Sequence, residues 1–400
     1  MALDNVFNGV TFDALVNDPN ISVKIGDEIE AASWEESRFE PFLGKAEGRG
    51  IRFFSTNTNE PYRPRLRIAL DGEGVEGNAD IAENLDNLNI MSQTIYPRVI
   101  ANGVNSEIDI YNAMKKIDFV KHASDALKTW MLNKRDKMLY AALANDLTNA
   151  IACDATNGFK DTTTHASVSA LGKQIVKGDT LNVAAIERAI LMAKAGISGL
   201  KGGKAFPMKP VKSTKKAENG LNLTYHSYLV FVDSYQAEQL RSDPAWKDMQ
   251  AHAPRNELHR VFTGYLGMIS GCPVVEMGTY SAGGGLGLFN STISDAEFKK
   301  NVIKQNFGDK IVCPSAYANS QPVSIGYIIG ASALIMAGSD STRFFINNKL
   351  DEGRKTRCSV DRLLAISKSR FALNDADASE RAQRYNGTDY GVIGILSSLE

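Results

Sequence analysis

The segment from Asp109 to Ile151, with Ile108 leading in, runs without a glycine or proline between two regions rich in both. Ala113, Ile117, Val120, Leu127, Met131, Met138 and Ala142 recur at steps of three, four or seven, so on a helix they form one apolar stripe. Lys115, Lys121, Lys128, Arg135 and Asp146 face elsewhere. The spacing predicts one long helix of roughly 60 Å at about 1.5 Å per residue, longer than an ordinary compact domain is wide. Such a helix is a ruler along which other elements must be laid out.

A chain of 400 residues exceeds what one hydrophobic core supports, so two or more lobes are expected. Lys plus Arg (45) nearly balances Asp plus Glu (46), which excludes a generally basic nucleic-acid binder and leaves local charge asymmetry to interpret. Cys153, Cys272, Cys313 and Cys358 form no CxxC pair, so neither a zinc ribbon nor a dense disulfide framework is signalled, and a reducing compartment fits. The N-terminus has no basic segment followed by an unbroken apolar run, and no later run is long enough to span a bilayer. The expectation is a protein made and used in cytosol.

Residues 1–60 carry Trp34, Phe39, Phe42, Phe53 and Phe54 without a sustained period, which reads as an extended arm whose aromatics need cover from this chain or another copy. Leu66, Ile68 and Leu70 alternate with Arg65, Arg67 and Ala69. A second alternating run lies near Asn89 to Ile100, and Gly72, Gly74 and Gly77 fall between, so 61–106 reads as a long two-stranded ribbon. After the long helix, Asp179 or Thr180 caps a helix of about four turns that stops at Gly196. Seven lysines and no acid lie between Lys194 and Lys216, a flexible basic loop by composition. Tyr228–Asp233 reads as a buried strand, followed by a helix from Ser234 through Arg241 and a loop around Pro244 and Trp246. Short strands follow in 261–280, buried strand or short helix in 323–337, and then strands around Arg343–Ile346, Val360–Ser367 and Tyr390–Ser397.

No catalytic constellation emerges. A P-loop fails twice, because Gly203-Lys204 is followed by Ala205 and Ser198 stands where the first glycine belongs. The run Gly283–Gly287 lacks a third dinucleotide-binding glycine and reads as a turn. Ser332 lacks the closing glycine of a nucleophile elbow and reads as core. The five histidines share no ligand spacing, so no metal and no cofactor is expected.

Two charge blocks remain. Asp71, Glu73, Glu76, Asp80, Glu83 and Asp86 occupy the ribbon tip without an intervening Lys or Arg, and Lys201, Lys204, Lys209 and Lys212 belong to the opposite block. Charge runs usually face water, so two solvated loops are one reading. The sharper one is that the acidic ribbon of one copy docks on the basic surface of a neighbour, setting register between subunits.

The order of arm, ribbon, long helix and strand-rich lobe resembles the major capsid protein of tailed double-stranded-DNA bacteriophages, with the Hong Kong 97-type fold. It most resembles the coat proteins of the Schitoviridae podoviruses. The stretches that carry the resemblance are VFNGVTFDALV, GVEGNADIAENLDNLNI, YLVFVDSYQAEQLRSDPAWK, FTGYLGMISGCPVVEM, IGYIIGASALIMAG and DYGVIGILSS, in order along essentially the whole chain. The resemblance implies an α+β fold with an N-terminal arm (1–60), an extended β-hairpin loop (61–106) and a peripheral domain with its spine helix (107–180). It further implies an axial domain (181–338) and a return to the peripheral domain (339–400), whose sheet receives the closing strand and packs on the spine helix.

It implies a structural, non-enzymatic subunit of the virion that self-assembles from hexamers and pentamers into an icosahedral head enclosing phage double-stranded DNA, in the host bacterial cytoplasm. The implied partners are other copies of the chain, a separate scaffolding protein, a portal, a decoration protein and DNA through non-specific contacts, with no membrane. Two alternatives compete: a cytosolic α+β enzyme whose site goes unrecognised, and an encapsulin-type bacterial shell protein. Near-neutral charge suits the capsid, since a shell strongly attracted to DNA would hinder packaging and release.

Overall fold

The computed structural model describes residues 19–35, 37, 39–56, 61–64, 66–67, 74–77, 80–81, 90–91, 93–106, 119–160, 164–216, 222–252, 265–278, 290–302, 310–372 and 380–399. The chain starts with α1 (Pro19–Glu35), β1 (Leu43–Gly44) and β2 (Ile51–Ser55), then β3 (Leu66–Arg67), which pairs antiparallel with β4 (Ile90–Met91). Next come β5 (Arg98–Asn105), the long helix α2 (Phe119–Ala144), β6 (Ala150–Asp154), β7 (Gly158–Phe159), α3 (Val168–Gly172) and α4 (Val183–Ala195). The hairpin β8 (Val211–Lys216) and β9 (Asn222–Ser227) leads to β10 (Leu229–Asp233), α5 (Ser234–Ser242), α6 (Pro244–His252), β11 (Tyr265–Ile269), β12 (Cys272–Gly278) and α7 (Asp295–Asn301). The chain closes with β13 (Val323–Ile329), β14 (Leu334–Gly338), β15 (Arg343–Leu350), β16 (Lys355–Lys368), α8 (Glu380–Tyr385) and β17 (Val392–Ser398).

Two large sheets share the long helix. In the first, β1, β2 and β14 lead to β16; β14 and then β15 run along one edge of β16, and β5 takes its other edge at Arg357–Leu364. In the second, the order is β11-β12-β10-β13-β17-β6-β7. Strands β10, β13 and β17 are buried at every position, the continuous apolar pattern of a sheet covered on both faces. One face packs Phe231, Tyr327 and Leu396 against Met138–Ala144 of α2, and the other packs Val230, Ile328 and Ile395 against α4 and α5. The first half of α2 belongs to a separate core, where Val120, Leu127 and Met131 meet Ile25 and Ile29 of α1 and Phe344 and Val360 of the first sheet. At 26 residues α2 spans about 39 Å, and it does bridge two cores along its length.

Several expectations are overturned. The long helix ends at Ala144 rather than Ile151, and its expected first turns, with Ala113, Lys115 and Ile117, lie outside the described residues. Asp146 takes a left-handed conformation (φ 46°), and the buried Lys368 ammonium donates to the carbonyls of Asn145 (2.9 Å) and Asp146 (3.2 Å). A cation on the orphan carbonyls of a helix end closes it there, and Ala150 and Ile151 become β6. Arg135 does not face elsewhere: it is fully buried within the stripe.

The arm is not wholly extended, because Ile25 and Ile29 of α1 find an apolar partner face that a single-sequence period cannot reveal. This chain itself covers Phe39, whose ring sits 4.9 Å from Tyr140 and 6.0 Å from Phe231. Residues 98–105 leave the expected ribbon to pair with β16. Asn182, not Asp179 or Thr180, caps α4; Asp179 instead accepts from the Val176 and Ala155 amides and pairs with Lys160. The basic loop contains a strand, β8, and the expected loop at Pro244 and Trp246 is α6, with proline in the first turn where no N–H is missed. The closing strand does not join the sheet of β16. It lies between β13 and β6 in the seven-stranded sheet.

Candidate assembly surfaces

A buried polar clamp holds α1 on the body. Glu30 accepts from Arg135 of α2 (3.4 Å), from Thr342 Oγ1 (2.7 Å) and from Arg362 of β16, all three buried. Asp136, next along α2, accepts from Ser37 just beyond α1 (2.9 Å). Burial pushes the Arg135 pKa down, and Glu30 and Asp136 oppose that by favouring the charged form. Gly26 lies so close that a Cβ there would overlap the Thr342 carbonyl oxygen. Arg135 is expected to face away from the stripe, yet Met131, Arg135, Met138 and Ala142 follow the same three-and-four steps as the apolar positions. A charge inside such a stripe announces a buried partner.

Beyond this clamp the first sheet is three strands wide. Its inward positions Thr356, Cys358, Val360 and Arg362 are buried beneath the helices. The opposite face carries Arg343, Phe345 and Asn347 on β15, Arg357, Ser359 and Asp361 on β16, and Val99, Ala101 and Gly103 on β5. Val99 is 58% exposed and Phe345 46% exposed, on strands at the two edges of this face. Arg343 holds Asp361 by two bonds of 2.8 Å. A sheet with one covered face, whose β15 and β5 edges meet no further strand among the described residues, is the kind of surface that another chain can extend or cover.

Of the residues expected to make contacts between subunits, Glu76 and Asp80 are exposed, while Asp71, Glu73, Glu83 and Asp86 lie outside the described residues. Lys201, Lys204, Lys209 and Lys212 are all exposed. The fold anchors their backbone: the Lys201 amide donates to the His165 carbonyl, the Lys209 carbonyl accepts from Ala331, and the Lys212 amide donates to the Gly48 carbonyl. Lys209 and Lys212 thus sit beside the turn before β2, and Lys201 and Lys204 follow the C-terminus of α4. Ser332 is core, its hydroxyl donating to the Glu47 carbonyl (2.9 Å). Among the described residues no cluster of three metal-ligating side chains occurs.

A spine helix bridging two cores, an arm helix clamped on it, a short β3–β4 pair and a half-open sheet fit a virus shell subunit of the Hong Kong 97-type α+β fold. The chain belongs to the phage capsid protein family, whose pattern matches residues 30–399. It is 36% identical to a major structural protein of Helicobacter pylori bacteriophage KHP30, over 98% of this chain and 99% of that one. The head structure of Helicobacter pylori bacteriophage KHP40 contains a chain 36% identical, covering 100% of both, with a TM-score of 0.75. The acidic stable capsid structure of bacteriophage KHP30 gives 37% identity, coverage of 98% and 99%, and a TM-score of 0.74. The protein is therefore a major structural protein of a phage capsid, a virion component from a family of structural proteins rather than of enzymes.

Proposed function

We propose that copies of this chain assemble with one another, as hexamers and pentamers, into an icosahedral head that encloses double-stranded DNA. The observation that carries this reading is the bare face of β15, β16 and β5, with apolar surface at Val99 and Phe345 that a neighbouring copy would cover. The arm and ribbon hold neighbours together, and the acidic ribbon docks on the surface of Lys201, Lys204, Lys209 and Lys212, steering encounter and fixing register. Replacing Glu76 and Asp80, together with Asp71, Glu73, Glu83 and Asp86, by lysine should block assembly in light scattering. Reversing the four lysines to glutamate in the same chain should partly restore it; undiminished assembly of the first variant would end the docking idea.

In this scheme residues 1–60 are the arm, 61–106 the ribbon, 107–180 and most of 339–400 the peripheral domain, and 181–338 the axial domain, which also receives β17. A separate scaffolding protein, a portal and a decoration protein meet the shell, which forms in the host bacterial cytoplasm. The chain works by contact alone, with no catalytic step, cofactor or membrane. The motifs quoted above support a kinship with the coat proteins of the Schitoviridae podoviruses; a coat protein from that group superimposing less well than the Helicobacter phage chains would end that reading.

A further inference from the structure

Where α7 packs on α2, the two helices enclose a groove of about 430 Å³ lined by Trp130, Asn133, Lys134, Lys137, Lys300 and Asn301. Trp130, Lys134 and Lys137 are three and four residues apart, so α2 presents them on one side. The Lys134 ammonium is fixed at the groove by the Asn301 side-chain oxygen (2.8 Å) and the Lys300 carbonyl (3.2 Å). Lys137 pairs with Glu297 at 3.3 Å, and among the described residues Glu297 is the one carboxylate in the lining. Three ammonium groups against one carboxylate leave the groove at about +2, in a chain whose formal net charge is −1.

We infer that this groove is a phosphate site through which each subunit touches the packaged DNA, an inference that rests on the capsid reading above. Half-burial lowers the Lys134 pKa, and the like charges of Lys137 and Lys300 lower it further, so a bound anion would relieve a repulsion the free protein carries. The lining is rich in donors: three lysines, two asparagine amides and the Ser294 hydroxyl. Among the described residues it has no arginine, the residue whose planar fork suits a carboxylate held in one orientation. Lysines act as mobile point charges that accept a phosphate in any orientation, as sequence-independent contact with a sliding duplex requires. Two or three such contacts give only weak binding, on the order of 10⁻⁴–10⁻⁶ M, which lets DNA move in and out of the head.

The test is a salt titration of a short labelled DNA duplex against the full-length, unassembled chain, read by anisotropy and by Trp130 emission. Each phosphate contact contributes about −0.9 to the slope of log K against log salt. The variant K134Q/K137Q/K300Q should flatten that slope by roughly two to three, and K300Q alone by about 0.9. Among the described residues the Lys300 ammonium has no carboxylate partner, so K300Q leaves the fold intact and keeps the test decisive if the triple variant misfolds. K24Q/K173Q/K247Q, which removes equal charge from exposed positions elsewhere, should leave the slope unchanged. Equal slopes for the wild type, the triple variant and K300Q would overturn the inference. So would displacement of the Trp130 signal by a peptide of residues 71–86 but not by DNA, since the occupant would then be the acidic ribbon of another copy. Microscopy of the wild type separates the two readings: shells with an unmoved slope remove the groove alone, and a failure to form shells removes both.

Discussion

Substituting Glu30→Ala withdraws one carboxylate from two buried guanidiniums. Arg135 is fully buried and Arg362 only 2% exposed, and both lean on Glu30 together with Thr342. Breaking a buried ion pair by deleting one partner costs about 3–5 kcal/mol, because the charge left behind is neither solvated nor matched. Asp136 remains beside Arg135 and retains part of the compensation, which sets the expectation at the lower end, about 3 kcal/mol. That corresponds to roughly a 150-fold rise in the opening equilibrium of α1. Native-state amide exchange on the unassembled chain reads it directly: amides of residues 25–35 should exchange about two orders of magnitude faster, while those of α4, in a different core, stay unchanged. Glu30→Gln keeps an acceptor but no charge and should fall between. A change below about threefold for Glu30→Ala would refute the clamp as what holds the arm helix.

Gly26→Ala drives a Cβ into the Thr342 carbonyl oxygen and should loosen α1 by about 1–3 kcal/mol, with the same exchange signature and no change in charge. Asp389 gives the acid limb. Burial would raise its pKa, but Lys368 at 2.8 Å and Arg370 at 3.2 Å outweigh that and hold it below the ordinary carboxylate range. A carboxylate depressed in the folded state contributes stability that is complete above an unfolded pKa of about 3.9 and is lost as pH falls through the folded value. The urea midpoint should therefore fall below about pH 4, and Asp389→Asn should already lower the unfolding free energy at neutral pH by about 3 kcal/mol or more, with a weaker acid dependence. A variant that unfolds like the wild type at both pH values would remove this role.

The parts of the fold legible in the sequence are those where one segment carries its own pattern. The stripe on α2 from Val120 to Ala142, the unbroken apolar runs of β10 and β17, and the Gly196 stop of α4 (φ 65°) are of this kind. What escaped depends on a partner distant in sequence. The arm helix shows its period only against α2 and β15, and the end of α2 is set by Lys368, more than 200 residues away. Membership of a sheet is likewise nonlocal: an apolar run such as Val392–Leu396 says that a strand is buried on both faces, not which neighbours bury it. The clamp was half-visible, since Arg135 occupies a stripe position, but Glu30 and Arg362 are 105 residues before it and 227 after it (135 − 30; 362 − 135).

The acidic and basic blocks could be read from composition, and the lysines do lie on the surface, but their pairing is a property of two copies. An electron-microscopy reconstruction of particles formed by the full-length chain addresses the central claim most directly. The account predicts closed icosahedral shells in which Val99 and Phe345 are covered by a neighbouring copy. A discrete small oligomer, or a shell that leaves this face bare, would contradict it.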